Sequence, residues 1–442
     1  MSLHRIIKRD GNLVAYDRER IVTAIFKAAS SVNEGRREEA EQWARAVECQ
    51  LEANYGGAVP TVEDVQDVVE DVLLRRGHPR VARAYIIYRH ERALARTERN
   101  RTVEATDNVP YKKIYEVLRW NMDHDCETIE GINRWIAGGR FAELIAASDE
   151  RYVQEVRQCA ESVLERPDVR LVIIAGPSSS GKTTTTIKLS ERLREAGREL
   201  VALNVDRYFF DLEQHPKDEF GDYDYETPHA LDLPLINRHL SELIEGRSVK
   251  IPFYDFKTGR RTLDAEDMAL APHQVLLIDS LHGLFEGMTS GIPAERKFRL
   301  YIETLGQLRN DEGVFMRWAD NRLLRRMIRD SWHRNHQPMQ TLTHWHYVRA
   351  SELKYIIPYI GTVDGLVNSA LPYELPILKR HLFPFFPQAV EAFRADPKRQ
   401  DAAVRAKRVL DWLTPLEVWP DDRVVAPDSL LREFIGGSAY AY

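Results

Sequence analysis

Apolar and polar positions change rhythm along this 442-residue chain. Two short strand-like pieces, HRIIKR and LVAY, flank the turn dipeptide Asp10-Gly11, a favoured hairpin signal. Helical spacing follows. Asp17 is placed to cap ERIVTAIFKAASSV, where Ile21, Ala24, Ile25 and Ala28 recur at three and four residues. Thr61 caps VEDVQDVVEDVLLRR, with Val62, Val65, Val69 and Leu73 on one face, and Gly77-His78-Pro79 stops it. A third helix, RVARAYIIYRHERALART, runs into the polar stretch TERNRTVEATDNVP, which reads as a linker. Residues 1–97 thus form one small unit, and 98–168 a mostly helical connecting region. At LVIIAG, residues 171–176, the apolar run is unbroken, as in a strand buried on both faces of a parallel sheet. ELVALNV (199–205), QVLLID (274–279) and FRLYIE (298–303) are further strands in the rhythm of crossover units. An α/β domain with a mainly parallel sheet is expected over 169–385, followed by an extension, 386–442, packed on it.

The strongest chemical signal is GPSSSGKT, residues 176–183, which matches GxxxxGK[ST] between a buried strand and the helix TTTTIKLSERLREAG. Small residues let successive backbone N–H groups curl around a triphosphate at a helix N-terminus, so Gly176, Ser178, Ser179, Ser180, Gly181 and Thr184 are assigned to ATP. Lys182 reaches the outer phosphates and the Thr183 hydroxyl serves Mg2+. Asp206 and Asp279 follow strands at the carboxyl edge, where open parallel sheets assemble their sites. Asp206 is placed to accept a hydroxyl proton and to help organise Mg2+, and Asp279 to hold Mg2+ directly or through water. The segments EFGDYDYETPHALD and IPFYDFKTGRR read as loops, poor in core character, whose aromatic and acidic side chains suit a base and sugar hydroxyls. The helix RLLRRMIRDSWHR carries Arg322, Arg325, Arg326, Arg329 and Arg334, more cations than a solvated face needs. Arg326 and Arg329, at i and i+3, are placed to clamp phosphates during transfer. His333, His336, His344 and His346 lack a carboxylate or cysteine partner and are not assigned to a metal.

Composition narrows the class. With 43% apolar residues the chain can bury cores, and a net charge of -6 removes the electrostatic case for a nucleic-acid binder. Three separated cysteines, no signal peptide and no membrane-length apolar run point to a reduced cytoplasmic protein without a membrane partner.

The order GPSSSGKTT, NVDRYF, YDYETPHALDL, IPFYDFKTGRR, LLIDSLHGL and RRMIRD resembles the uridine kinase and phosphoribulokinase superfamily. THWHYVRASELKYIIPY, DGLVNSALPYELPILK and SLLREFIGGSAY extend the likeness to a bacterial branch of uridine and nucleoside kinases. That resemblance implies Asp206 as general base toward a nucleoside 5'-hydroxyl, and Glu226 with Arg326 on the ribose. It further implies Tyr254, with Tyr208 and Phe256, at the acceptor, and Arg329 and Arg334 on phosphate as the lid closes. The base-reading histidine of uridine-cytidine kinases falls at Gly259, and Asp279 replaces a glutamate at the magnesium position. The first 97 residues resemble the ATP-cone, on IIKRDG, YDRERIVTAIFKAA and ARAYIIYRHER. This implies nucleotide contacts from Ile6, Lys8, Arg9 and Arg20.

Together these expectations describe a P-loop kinase that phosphorylates a nucleoside, with uridine or cytidine first. ATP or dATP acts as effector on the small domain, and a homo-oligomer, dimer or tetramer, carries the response. Two rivals stand beside it: a sugar-phosphate or nucleoside-monophosphate kinase, for which the arginines of GRR at 259–261 would hold the acceptor's phosphate, and a nucleotide-responsive oligomeric switch.

Overall fold

The computed structural model describes residues 5–7, 13–55, 59–89, 108–216, 223, 227–333, 337–394, 396 and 399–441. The chain separates into two compact units, one of residues 1–105 with 390–404 and the other of 106–389 with 405–442.

In the first unit β1 (Arg5–Ile7) and β2 (Leu13–Ala15) pair antiparallel, with Ile6 opposite Val14. The Asp10-Gly11 turn lies outside the described residues. Helices α1 (Arg18–Ser31), α2 (Arg37–Tyr55), α3 (Val62–Arg75) and a helical run over 79–89 follow. Asp17 caps α1 by accepting the Glu19 N–H at 3.0 Å, and Thr61 with Asp64 forms a capping box on α3. The buried faces are Ile21, Val22, Ile25 and Phe26 on α1, and Val65, Val69 and Leu73 on α3. They close on α2, which the sequence reading passed over. Its apolar stripe, Ala40, Trp43, Ala44, Val47 and Leu51, is interleaved with charges and partly built of alanine, so its periodicity is faint. Residues 390–404 join this unit, where the Arg394 carbonyl accepts a 2.8 Å bond from Arg37 Nη1.

The second unit opens with α4 (Tyr111–Asp123), α5 (Ile129–Ala137) and α6 (Phe141–Leu164). These helices belong to the α/β unit rather than to a connection. The Tyr152 hydroxyl is 2.7 Å from Thr185 Oγ1, and Glu155 accepts the Asn368 N–H at 2.7 Å. Next come β3 (Leu171–Ala175), α7 (Lys182–Glu195), β4 (Glu199–Ala202), α8 (Leu233–Ile244), β5 (Val249–Asp255), β6 (Arg260–Met268), β7 (Gln274–Ser280) and β8 (Lys297–Glu303). Then follow α9 (Trp318–His333), α10 (Pro338–Tyr355), β9 (Gly365–Asn368), α11 (Glu374–Leu382), α12 (Phe385–Arg394) and α13 (Gln400–Leu413), of which residues 390–394 and 400–404 count with the first unit, and α14 (Arg432–Ile435).

The main sheet runs β4-β7-β3-β8-β9, parallel throughout. Every β3 residue is buried, which explains its continuous apolar reading. β9 escaped the sequence reading because GLVN is four residues long and starts on glycine. IPFYDFKTGRR is corrected by the structure: it forms the hairpin β5–β6, and Ile251 and Tyr254 join the core. Among the described residues no helix is long and apolar enough to cross a membrane.

Candidate active site

The phosphate loop leaves β3 at Gly176. A Cβ there would lie 2.3 Å from the Ile302 carbonyl oxygen and 2.8 Å from Ser180 Oγ, so only glycine lets the loop turn beside β8. Ser179 (φ 61°) and Gly181 (φ 87°) take left-handed conformations that bring the backbone round to the start of α7. The Ser179 and Ser180 hydroxyls are buried and find no partner among the described residues, donors suited to a bound anion. Lys182 folds over the loop, its Nζ donating to the carbonyls of Gly176 at 2.9 Å and Pro177 at 3.3 Å. Burial lowers its pKa and the Asp279 carboxylate opposes that shift. Thr183 stands exposed at the mouth. The amide and hydroxyl of Thr184 both donate to Glu433 Oε2, at 3.0 and 2.8 Å, so the carboxy-terminal segment reaches the loop.

Asp206 sits in the 3-10 turn Val205–Tyr208 after β4, where the Asn204 side chain accepts its N–H at 2.9 Å. Asp279, near the end of β7, is level with Ile174 of β3 and accepts from Thr186 Oγ1 at 3.3 Å. Both carboxyls stay reachable by solvent, yet surrounding protein raises their pKa values. Desolvation is the larger cause for each, and the charge of Asp279 adds to it at Asp206. Two carboxylates, the charge of Asp279 disfavouring ionisation of Asp206, together with the Thr183 hydroxyl supply a hard oxygen set. Mg2+, which keeps waters and takes one or two carboxylates with substrate phosphates, fits it.

The arginine helix divides in two. Arg322 and Arg325, counted among the surplus cations of this helix but not assigned to the clamp, are 1% and 0% exposed and hold the frame. Arg322 pairs with Glu303 Oε1 at 2.8 Å and with Glu352 at 2.5 and 3.0 Å, and donates to the Ser178 carbonyl at 3.2 Å. Arg325 pairs with Glu374 at 2.6 Å and donates to the Ser369 carbonyl at 2.6 Å. Arg326 donates to Ser178 Oγ at 3.0 Å and to Asp330 at 3.1 Å, and Arg329 lies 3.8 Å from Asp330. Arg334 and Glu226 lie outside the described residues.

On the acceptor side Tyr208 is wholly buried, its hydroxyl 3.0 Å from His239 Nδ1, so it faces the core. Tyr254 is buried against Phe209 and Phe256, with ring centroids 5.5 and 5.0 Å apart, whereas Phe256 is 61% exposed. Gly259 (φ 67°) closes the β5–β6 turn against Leu212, where a Cβ would meet Leu212 Cβ at 2.8 Å. In the first unit Ile6 is half-buried against the core, and Arg20 is exposed with Asp17 at 3.2 Å. Lys8 and Arg9 lie outside the described residues. The sequence reading missed Glu303, Glu352 and Glu374 as arginine partners and Glu433 at the loop. No linear spacing links them to their partners.

A strand, phosphate loop and helix with acids at the carboxyl edge define a P-loop phosphotransferase fold. Residues 171–372 match the phosphoribulokinase/uridine kinase family and residues 4–94 the ATP cone domain. The chain therefore carries an ATP-cone domain followed by a phosphoribulokinase/uridine kinase family domain. Over 195 residues it is 28% identical to the uridine kinase of Deinococcus deserti, covering 44% of this chain and 84% of that protein. Over 138 residues it is 34% identical to the anaerobic ribonucleoside-triphosphate reductase of Haemophilus influenzae, covering 31% of this chain and 19% of that protein. A solved structure titled as a possible uridine kinase, from Bacillus stearothermophilus, is 16% identical with a TM-score of 0.30, over 45% of this chain and 89% of that one.

Proposed function

We propose that the chain transfers the γ-phosphoryl of ATP to the 5'-hydroxyl of a nucleoside, with uridine and cytidine as first candidates. Asp206, at the same sheet edge as the phosphate loop and with its pKa raised first by desolvation and then by the charge of Asp279, carries this reading. Its carboxylate orients the acceptor hydroxyl and takes its proton as the phosphoryl moves. Lys182 and the loop amides hold the transferring group, and Arg326 and Arg329 border it from α9. Thr183, Asp206 and Asp279 would hold Mg2+, which when bound would supply neutralisation of the outer phosphates.

An uncharged acceptor is favoured over a phosphorylated one by the two arginines that open β6. Arg260 pairs with Asp211 at 3.4 Å and Glu213 at 3.0 Å, and Arg261 with Asp232 at 2.8 Å. Cations already committed to carboxylates are poorly placed to hold an acceptor phosphate. Measuring ATP consumption over a panel of nucleosides, nucleoside monophosphates and sugar phosphates tests this, and turnover confined to phosphorylated acceptors overturns it.

The amino-terminal domain is, in this reading, a sensor for ATP or dATP that changes activity through oligomeric state. Its support is the ATP-cone match together with the exposed Arg20. Full-length Lys182→Ala protein, crippled at the phosphate loop, should still bind dATP in calorimetry. Loss of all dATP binding in that variant would place the nucleotide at the kinase site alone.

A further inference from the structure

His282 stands three residues beyond Asp279, just past the carboxyl end of β7. It is 5% exposed, and among the described residues neither ring nitrogen has a hydrogen-bond partner. An unpaired buried polar group is costly to keep, and such groups in native folds call for an explanation. The surroundings supply one. The ring meets Tyr355 edge-on at 5.7 Å, and Tyr355 in turn meets His229 at 5.9 Å. His229 belongs to the turn Pro228–Ala230, which is bonded to the Asp206 segment: Phe210 N–H donates to Ala230 O at 3.0 Å and Asp232 N–H to Tyr208 O at 2.9 Å. The next residue, Gly283, packs against the end of β3 from which the phosphate loop departs, where a Cβ would lie 3.5 Å from Ala175 Cβ. Burial first, then the charge of Lys182 and then that of His229, push the imidazole down to about 4. At neutral pH the ring is therefore uncharged and offers one N–H donor and one lone-pair acceptor. It is linked through Tyr355 and His229 to the segment that carries the proposed base, and it feels the charge of Lys182.

We propose that His282 hydrogen-bonds a hydroxyl of the bound acceptor beside its reacting end, and so is an acceptor-binding residue of this kinase. The inference rests on the reading of the acceptor given above and sharpens it. A neutral donor–acceptor pair matches a sugar hydroxyl, which both gives and takes a hydrogen bond, better than a phosphate, which wants cations.

Two full-length variants test it, His282→Leu and His282→Asn. If the imidazole is kept for a ligand, leucine removes an unpaired buried polar group and leaves the melting temperature unchanged or higher. ATP affinity in calorimetry should stay within about twofold, because the phosphate loop is untouched. The acceptor KM should rise by about 10-fold, the loss of one good hydrogen bond. Asparagine, which keeps a donor and an acceptor, should recover part of that loss. An unchanged acceptor KM in a stable His282→Leu protein overturns the proposal. So does a fall in melting temperature in both variants with acceptor KM unchanged, which marks the ring as packing only. The wild-type panel separates the two readings. If only phosphorylated acceptors turn over, the nucleoside reading fails, and the same variants are then compared on the acceptor that is used. If nucleosides turn over but His282→Leu is indifferent, the assignment of His282 alone fails.

Discussion

Replacing Asp206 by asparagine keeps the size and polarity of the side chain and removes its capacity to take a proton. The Asn204 side chain bonds to the residue 206 backbone, not its carboxyl, so the turn should survive the exchange. General-base loss typically costs about 100-fold to 10,000-fold in turnover, or roughly 2.7 to 5.4 kcal/mol of barrier. ATP affinity should hold or improve, since one negative charge leaves a cleft that must receive a polyphosphate. The pH profile gives an independent reading. Desolvation, and secondarily Asp279, raise the Asp206 pKa, and the base must be ionised to act. Activity should therefore fall on the acid side at a higher pH than a solvated aspartate, near 3.9, would give. Removing the Asp279 charge with Asp279→Asn should move the acid limb of the residual activity to lower pH. Initial rates at saturating ATP and acceptor, taken across pH, measure all of this. Asp206→Asn turning over within about threefold of wild type, or an acid limb indistinguishable from that of a solvated carboxylate, would refute the assignment.

Gly176→Ala should weaken ATP binding by at least about 10-fold, because the new methyl must displace the Ile302 carbonyl 2.3 Å away and distort the loop; unchanged affinity in calorimetry would contradict the close approach. Asp149→Asn should stabilise the protein near neutral pH. Burial raises that carboxyl to about 6 while Tyr373 and Ser429 donate to it at 2.7 and 3.0 Å. A raised folded-state pKa means that the folded protein binds more protons, so stability is lost as pH rises from about 4 to about 6. An amide oxygen still accepts both bonds, and a gain of about 1 kcal/mol at about pH 7.5 that vanishes at about pH 4 is expected in thermal melts. Glu433→Gln should tighten ATP binding several-fold, by taking a negative charge off the Thr184 amide at the start of α7; weaker binding would show that the carboxylate supports the nucleotide site rather than competing with it.

What was legible in the sequence was what local pattern encodes. β3 and β4 lie within the apolar runs read as strands and β7 and β8 overrun theirs by one residue each, Asp17 and Thr61 cap their helices, and the phosphate loop sits between β3 and α7. The losses were of another kind. The charge density of this helix showed a surplus of cations but not what Arg322 and Arg325 are for, because whether an arginine meets phosphate or carboxylate depends here on Glu303, Glu352 and Glu374, distant in the chain. The β5–β6 hairpin was hidden because its strands carry the acids and aromatics that a loop would carry. Only pairing, Tyr254 opposite Arg261, shows which face is core. Tyr208 reads as a site residue from its place beside Asp206, but the 3-10 turn aims neighbours in different directions and sends the tyrosine to His239.

The buried arginines bear on function through the loop they touch. Arg322 holds the Ser178 carbonyl and Arg326 the Ser178 hydroxyl, so α9 grips the phosphate loop from two successive turns of one helix face. Arg322 is itself fixed by Glu303, at the end of β8, and by Glu352 on α10. β8 also supplies the Ile302 carbonyl that forbids a side chain at Gly176. Loop shape is thus set from the sheet on one side and from α9 on the other, before any phosphate arrives. A site whose donors are held by such a frame need not reorganise as charge develops on the transferring group, and that preorganisation is how fixed dipoles lower a barrier. Breaking a buried pair by removing one partner leaves the other charge uncompensated, at a cost of about 3 to 5 kcal/mol. Arg322 therefore ties the stability of the second unit to the geometry of its phosphate loop, and the two cannot be varied independently at that position.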